Sequence, residues 1–227
     1  MQRNIITTAD GSKTIHIQEW DEHYHSIHGA IQEANHVFIK HGLLFFVEQF
    51  TQQPIKIFEI GFGTGLNALL TLLNAKQLNV TVDYVGVEAY PITNQEIEAL
   101  NYSEQLLVNK KDDTFNKLHE CTWEENHNIT PEFTLTKQKK FFNDIEDKNT
   151  YNLIYFDAFG AKVQPELWTE DIFKIMYNAL KPDGVLVTYS AKGSVRRAMI
   201  AVGFLVEKLP GPPGKREMLR ARKKQNL

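Results

Sequence analysis

The sequence predicts an α/β fold built on a mostly parallel sheet of seven strands, of which the last runs antiparallel. Short apolar strands alternate with helical segments from residue 55 onwards, and such alternation is typical of a parallel sheet that helices cover on both faces. The final two strands are joined by the loop PGPPGK, which is too short to connect parallel neighbours. The last strand is therefore expected to run against the others.

The first βα unit, residues 55–67, reads IKIFEIGFGTGLN. Its apolar residues predict a short buried strand, and an apolar helical face follows the glycine loop. A strand, a glycine loop and a helix start together bring backbone N–H groups and a positive helix end close to a polar ligand. We therefore expect ligand contacts from the strand end and the loop, namely from Glu59, Gly61, Phe62, Gly63, Thr64, Gly65 and Asn67.

The other elements follow in order along the chain. Asp10-Gly11 between two β-prone runs predicts a hairpin of residues 4–8 and 13–17, and helical spacing begins at Ile27. We assign residues 1–50 to an N-terminal extension that packs on the core, and residues 51–227 to the main domain. The remaining predicted strands are 80–88, 133–136, 152–157, 185–189, 203–209 and 217–222, the predicted helices are 103–123, 166–180 and 194–202, and residues 124–130 are predicted to form a polar loop.

Composition and charge indicate a soluble protein with a polyanionic partner. The chain has 227 residues, of which 42% are hydrophobic and 23% charged, as in ordinary globular proteins. No signal peptide or membrane-spanning run is recognisable, and the single cysteine, Cys121, fits a reducing compartment such as the cytoplasm. From residue 192 onwards the chain carries ten basic and two acidic residues, which suggests an anionic partner. The last five residues are expected to form a solvated basic tail.

Six of the eight histidines lie between residues 16 and 41. Their spacing does not match a helical i, i+4 pair backed by a carboxylate, and no cysteine lies near them in sequence. We therefore predict no metal site, and we expect loop or substrate-facing histidines instead.

The chain resembles the methyltransferase half of the MnmC family, the bifunctional tRNA 5-methylaminomethyl-2-thiouridine biosynthesis proteins. The resemblance is carried by EIGFGTGLNALL, YFDAFGAKVQPELWTEDIF, TYSAKGSVRRAMIAVGF and GPPGKREML. The stretch WDEHYHSIHGAIQEANHVF, with Tyr24, Ser26 and Glu33, is similar to the N-terminal motif of the family. The match spans residues 11–221. It implies a Rossmann-like class I methyltransferase fold, with S-adenosyl-L-methionine as cofactor.

The resemblance also implies a substrate and roles for the acidic strand ends. The substrate would be the amino group of 5-aminomethyl(-2-thio)uridine at the wobble position of tRNA, made by a separate enzyme. The cofactor would lie outside the carboxyl ends of the strands. There Glu88 can accept from both ribose hydroxyls, Asp144 from the adenine amine, and Asp157 would face the sulfonium and amino groups.

The chemistry of an amine substrate sets limits on these residues. Only a neutral amine has a free lone pair, and deprotonating an alkylamine of pKa about 10.4 near pH 7 costs roughly 4 to 5 kcal/mol. With an ordinary pKa of about 3.9, Asp157 is too weak a base to hold that proton, so it is expected to orient the amine. Tyr24, Phe159 and Tyr189 are candidates to surround the base, and core packing is the alternative role of the last two.

Basic residues near the C-terminus are candidates for phosphate contact. They are Arg196, Arg197, Lys215, Arg216 and Arg220. Because adjacent residues diverge on a helix, we expect only one of Arg196 and Arg197 to face the site.

Two other functions remain open at this stage. One is a small-molecule amine methyltransferase or an aminopropyltransferase, against which the basic C-terminal third argues, because a polyamine would favour an acidic rim. The other is a non-catalytic RNA-binding module of the same fold, against which the carboxylates at the strand ends argue.

Overall fold

The computed structural model describes residues 2–106 and 113–224, and its strands form two sheets. The small sheet consists of β1 (Arg3–Thr7), β2 (Lys13–Ile17) and β3 (Glu22–His23). The large sheet consists of β4 (Ile55–Ile60), β5 (Val82–Val87), β6 (Asn126–Thr130), β7 (Phe133–Gln138), β8 (Tyr151–Phe156), β9 (Leu180–Thr188), β10 (Leu205–Pro210) and β11 (Glu217–Arg222). Its eight described strands lie in the order β10-β11-β9-β8-β4-β5-β7-β6.

The directions of the strands confirm the predicted fold class. The inner strands β9, β8, β4, β5 and β7 pair in parallel. The last strand, β11, is antiparallel to both of its neighbours, as the short loop before it requires. The strand order changes direction between β4 and β8. The carboxyl ends of these two strands therefore border the crevice where ligands bind in such folds.

The helices cover both faces of the large sheet. They are α1 (Ala30–Ala34), a π-helical segment (Asn35–Leu44), α2 (Phe45–Gln49), α3 (Leu66–Leu78), α4 (Asn94–Ala99), α5 (Tyr102–Gln105), α6 (Thr114–Glu120), α7 (Glu170–Ala179) and α8 (Gly193–Ala201). On one face the π-helical segment and α3 share a core with Tyr155 and Val187 of the sheet. On the other face α7 and α8 pack against Phe58 and Ile154. None of the helices among residues 2–106 and 113–224 is long and apolar enough to cross a membrane.

The N-terminal hairpin is confirmed, and the extension shares a core with the sheet. Strands β1 and β2 pair from Arg3↔Ile17 to Thr7↔Lys13. In the π-helical segment, a Cβ at Gly42 would lie 3.0 Å from the ring of Tyr155, so a side chain there would force this helix and β8 apart by a few tenths of an ångström. The division into residues 1–50 and 51–227 stays a prediction.

Several predicted element boundaries are wrong for identifiable reasons. Residues 124–130 are not wholly loop, because β6 pairs with β7; a polar edge strand is held by its backbone ladder and lacks apolar alternation. The helix predicted over 166–180 is interrupted at Thr169, and α7 begins only after that residue. The hydroxyl of Thr169 caps α7 by accepting from the N–H of Ile172. The helix predicted over 103–123 is α5 and α6 in the described part, and residues 107–112 lie outside it.

The expected basic tail is only partly covered by the structure. Lys223 is buried, and its ammonium donates to the side chain of Asn149 and to the carbonyl of Leu180. Lys223 is therefore part of the folded structure, because its buried ammonium is hydrogen-bonded to protein atoms in place of water. Residues 225–227 lie outside the described residues.

Candidate active site

A cavity of about 700 Å³ lies at the carboxyl ends of β4, β5 and β8. Three parts of the chain form its walls: the glycine loop with the strand ends, the N-terminal extension, and the segments that follow β7, β8, β9 and β10. Its walls include Gly61, Phe62, Gly63, Asn67, Glu88 and Asp157 from the first part, Arg3, Trp20, Glu22, Tyr24 and Glu33 from the second, and Tyr189 and Lys215 from the third. Most residues predicted to bind a ligand are thus brought together.

The glycine loop runs close to the neighbouring strand ends. The N–H groups of Gly61 and Phe62 both donate to the carbonyl of Val87, at 3.0 and 2.9 Å. Gly61 has a φ of +89°, and a Cβ there would lie 2.7 Å from the main-chain oxygen of Asp157. Only glycine fits this position, which leaves the cavity floor at the end of β4 lined by bare backbone.

Glu59, Asn67 and Asp157 form a hydrogen-bonded chain of side chains. The amide Nδ2 of Asn67 donates to Glu59 Oε1 and to Asp157 Oδ2, both at 2.8 Å. Glu59 is fully buried behind the cavity and does not line it, and Oε2 of its carboxyl has no hydrogen-bond partner among the described residues. Burial raises the pKa of Glu59 well above its ordinary value, and the charge of Asp157 adds to that rise.

Asp157 faces the cavity with an altered acidity. Burial, and secondly the negative charge of Glu33, raise the pKa of Asp157 to about 7, whereas Asn67 and the positive charge of Lys215 act in the opposite direction. Near neutral pH this carboxyl group can therefore both take up and give up a proton.

Glu88, at the end of β5, is fixed by two main-chain donors. Its Oε2 accepts from the N–H of Gly63 at 3.1 Å, and its Oε1 accepts from the N–H of Tyr90 at 2.9 Å. Each carboxylate oxygen keeps a further lone pair. Glu88 can therefore still accept from two neighbouring hydroxyl groups of a ligand.

Aromatic rings from two distant segments form one wall of the cavity. Phe159 makes edge contacts with Tyr24 and Trp20, with ring centroids 5.0 and 5.7 Å apart. The guanidinium of Arg3 lies 5.7 Å from the ring centre of Tyr24, and burial raises the pKa of the Tyr24 phenol. Trp20 was not among the predicted site residues, although it opens the N-terminal stretch that resembles the family motif.

Lys215 lies inside the cavity. Its Nζ is 2.5 Å from Glu33 Oε2 and 3.9 Å from the ring centre of Tyr189. The hydroxyl of Tyr189 in turn donates to the carbonyl of Ala158 at 2.8 Å. The sequence assigned Lys215 to phosphate contact because it lies in a basic segment, but the turn between β10 and β11 directs this side chain inward.

Four of the predicted ligand contacts do not line the cavity, namely Glu59, described above, and Thr64, Gly65 and Asp144. The hydroxyl of Thr64 is hydrogen-bonded to His25 Nε2 at 2.7 Å, and Gly65 is the N-cap of α3. Asp144 is exposed in a single turn of 3₁₀ helix after β7, where Phe141, Phe142 and Asn143 line the cavity instead. Side-chain direction in such a turn depends on the backbone path, which the sequence did not specify.

The predicted phosphate-binding residues differ in accessibility. Arg197 and Arg216 are exposed and Arg196 is half-buried, and the expectation that only one of Arg196 and Arg197 faces the site stays a prediction. Arg220 is buried: its Nε donates to Glu207 at 2.7 Å, and its guanidinium lies 3.5 Å from the ring centre of Phe45. No group of three or more metal-ligating side chains occurs in the described parts of the chain.

Comparisons with known proteins agree with this geometry. The family model described as S-adenosyl-L-methionine-dependent methyltransferase matches residues 103–224. The bifunctional protein MnmC of Cupriavidus metallidurans is 29% identical over 235 residues, which cover 96% of this chain and 33% of that protein. Its counterpart in Ectopseudomonas mendocina is 27% identical, with coverage of 88% and 34%. The chain therefore spans about a third of the length of these relatives.

Solved structures share the fold of this chain. MNMC2 from Aquifex aeolicus superposes with a TM-score of 0.80 at 25% identity, over 99% of this chain and 71% of that chain. Spermidine synthase from Thermotoga maritima superposes with a TM-score of 0.59 at 15% identity, over 99% of this chain and 69% of that one, which is a likeness of fold alone. The resemblance stated from the sequence motifs is confirmed.

Proposed function

Because the chain belongs to the family of S-adenosyl-L-methionine-dependent methyltransferases, we propose that it methylates the amino group of 5-aminomethyl(-2-thio)uridine in tRNA. The observation that carries this proposal is the position of Asp157: a carboxyl group with a pKa of about 7 lies in a cavity walled by aromatic rings. The names of the similar proteins support tRNA as the substrate.

The residues present suit the cofactor of the family. At Gly61 a side chain would collide with the neighbouring strand end, so the loop offers backbone where a cofactor must approach closely. Glu88 and Asp157 supply acceptors and negative charge for hydroxyl, amino and sulfonium groups. When bound, S-adenosyl-L-methionine supplies a methyl group that is electrophilic because it is attached to positively charged sulfur. We propose Gly61, Gly63, Glu88 and Asp157 as residues that hold it.

Asp157 is suited to accept a proton from the substrate amine. Transfer from an alkylammonium to a carboxylate of ordinary pKa would cost about 9 kcal/mol, whereas transfer to one of pKa about 7 costs about 5 kcal/mol. The sequence-based expectation that Asp157 is too weak a base used the ordinary pKa of an aspartate, and burial raises that pKa. We therefore propose Asp157 as proton acceptor as well as orienting group, with Tyr24 and Phe159 beside the uracil ring.

The surface of the protein suits a nucleic acid partner. Arg197 and Arg216 are exposed and can bind phosphates without disrupting the ion pairs that the structure describes. A separate enzyme must supply the aminomethyl group, because a methyl transfer site does not build that carbon–nitrogen bond. We propose the cytoplasm as the place where chain and tRNA meet.

A small polyamine is the second candidate substrate, and the cavity itself favours it. Among the described lining residues are the carboxylates of Glu22, Glu33, Glu88, Asp157 and Glu166, against the cations of Arg3 and Lys215. An acidic cavity suits any ammonium group, in tRNA or in a free amine. The basic C-terminal segment therefore argues less strongly against free amines than the sequence suggested.

One experiment separates these functions. Purified protein is incubated with radiolabelled methyl donor and either tRNA from cells that accumulate 5-aminomethyluridine or a set of free polyamines. We expect label in tRNA, in a nucleoside that mass spectrometry identifies as 5-methylaminomethyl(-2-thio)uridine. Label in polyamines alone would support the second candidate. Binding of tRNA without any methyl transfer would indicate a non-catalytic module.

A further inference from the structure

Lys215 is a cation held inside a cavity that receives a cationic substrate under the proposed function. It lies in the turn between β10 and β11, next to the exposed Arg216. Its ammonium donates to Glu33 Oε2 and rests 3.9 Å from the ring centre of Tyr189. An ion pair and a cation–π contact on one ammonium fix its position far better than an exposed lysine. The adjacent Arg216, in contrast, faces solvent.

The turn that carries Lys215 is itself fixed to the N-terminal extension. His36 Nε2 donates to the carbonyl of Pro210 at 2.8 Å. Gly214, with a φ of +82°, packs so closely on the imidazole of His28 that a Cβ there would overlap it. Glu33 is also anchored, since its Oε1 accepts from the N–H of Ser26 at 3.1 Å. Both members of the ion pair are therefore held by contacts beyond the pair itself.

The groups that face Lys215 come from three further parts of the chain. Glu33 (α1), from the N-terminal extension, and Tyr189, at the end of β9, contact Lys215 directly, whereas His25 and Asp157 line the same cavity and interact with its charge. Burial lowers the pKa of His25 to about 4, so that imidazole is neutral near pH 7. Glu33 and Asp157 are then the carboxylates, and Lys215 the cation, whose charges act on one another in this part of the cavity.

We propose that Lys215 is a positioning residue for the amine reaction: clamped by Glu33 and Tyr189, it places a fixed positive charge in the cavity that Asp157 lines, so that the substrate ammonium gives up its proton through Asp157 to solvent and the amino group is bound in its free, unprotonated form. A nearby positive charge disfavours a second ammonium and favours an ionised carboxylate. Glu33 opposes both effects with its negative charge. The proposal rests on the proposed function, and it moves Lys215 from phosphate binding to chemistry inside the cavity.

The two members of the pair are expected to change the pH dependence in opposite directions. When the single-turnover rate at saturating tRNA and cofactor is plotted against pH, the rate falls on the acid side. Lys215→Met removes the positive charge, so this acid limb should move to higher pH by about one unit. Glu33→Gln removes the negative charge and should move the same limb to lower pH. Lys215→Arg keeps the positive charge, so its acid limb should lie at the same pH as that of wild type. The different packing of arginine should change only the rate.

A binding measurement gives a second readout that does not depend on methyl transfer. Calorimetric titration of tRNA that carries 5-aminomethyluridine, with S-adenosylhomocysteine present, is run near pH 8 in two buffers of different ionisation enthalpy. We expect wild type to release close to one proton on binding and Lys215→Met to release clearly less. tRNA without the aminomethyl group should release none in either protein.

Arg216→Met is the matched control, because it removes the neighbouring, outward-facing cation. It should reduce the slope of log Kd for tRNA against log salt by about 1 and leave the pH limb unchanged, whereas Lys215→Met should leave that slope unchanged. The proposal is overturned if Lys215→Met changes the salt slope and not the pH limb, or if the Lys215 and Glu33 variants shift the limb in the same direction. If wild type transfers no methyl group to this tRNA, the proposed function itself fails, and the result is distinct from both.

Discussion

Replacement of Asp157 by asparagine should stabilise the protein at neutral pH and strongly reduce its activity. The pKa of Asp157 is raised from 3.8 to about 7, so in wild type the stability that its neutral form provides is present below pH 3.8 and is lost as the pH rises to about 7. Asparagine keeps an oxygen that can accept from Asn67 and carries no charge at any pH. It therefore avoids that loss.

The size of the effect follows from the shift. Three pKa units correspond to about 4 kcal/mol, and the partial exposure of Asp157 reduces this to about 2 kcal/mol through solvent screening. For a chain of this length 2 kcal/mol corresponds to a rise in Tm of about 4 to 8 °C. Methyl transfer should fall at least about 100-fold, because the proton acceptor is removed.

The assay is thermal denaturation of Asp157→Asn and wild type, without cofactor, at intervals from pH 4 to pH 8. The difference in Tm should be near zero at pH 4 and reach its full value above pH 7. Contributions of histidines cancel in this difference because both proteins contain them. The exposed Asp144 gives the control variant Asp144→Asn, which removes a carboxylate from the surface instead of from the cavity. If Asp157→Asn is no more stable than wild type at pH 8, the burial argument and the proton-acceptor role both fail.

Three further predictions concern stability and tRNA binding. Asn67→Leu removes two 2.8 Å bonds to carboxylates and should lower the free energy of unfolding in urea by about 3 kcal/mol; Asn74→Leu, in the same helix, is the control. Burial lowers the pKa of His119 to about 4, so wild-type stability should be lost as the pH falls from 6.5 towards 4, and His119→Gln should lose about 2 kcal/mol less over that range. Arg220→Met should lower stability by about 1 to 2 kcal/mol and leave the salt slope of tRNA binding unchanged, whereas Arg197→Met should do the reverse.

Each of these has a result that contradicts it. Equal effects of the two asparagine variants would mean that the bridge to the carboxylates carries no special stability. A pH dependence of Tm that is the same in wild type and His119→Gln would mean that this histidine titrates normally in the fold. A reduced salt slope for Arg220→Met would place that guanidinium on the RNA, despite its ion pair with Glu207.

Local sequence patterns were sufficient for seven of the eight described strands of the large sheet and for the position of the glycine loop and Glu88 at its edge. The glycine loop and Glu88 follow strands directly, and parallel strands that end at one edge must bring such residues together. The hairpin at Asp10-Gly11 and the strand Glu217–Arg222 were likewise predicted from turn chemistry and connection length. Those signals reach over only a few residues, which is why they are legible in the sequence.

Residues with roles set by distant neighbours could not be read in this way. Lys215 and Arg220 look alike in a basic segment, yet one lies in the cavity against Glu33, 182 positions away, and the other in an ion pair beneath the surface. Asp144 lies near the end of a strand but projects to solvent because of the turn that follows β7.

The chain by itself therefore determined seven strands of the large sheet in their order, the glycine loop and the family to which the protein is similar, since these depend on periodicity, turn residues and short motifs. Only the tertiary structure decided that the pKa of Asp157 is about 7 instead of its ordinary value near 4. Only it decided, too, that the two ends of the chain meet in this cavity through the ion pair of Glu33 and Lys215. The physical reason is that solvation and charge interactions depend on distance in space, and most of the groups concerned are far apart in sequence.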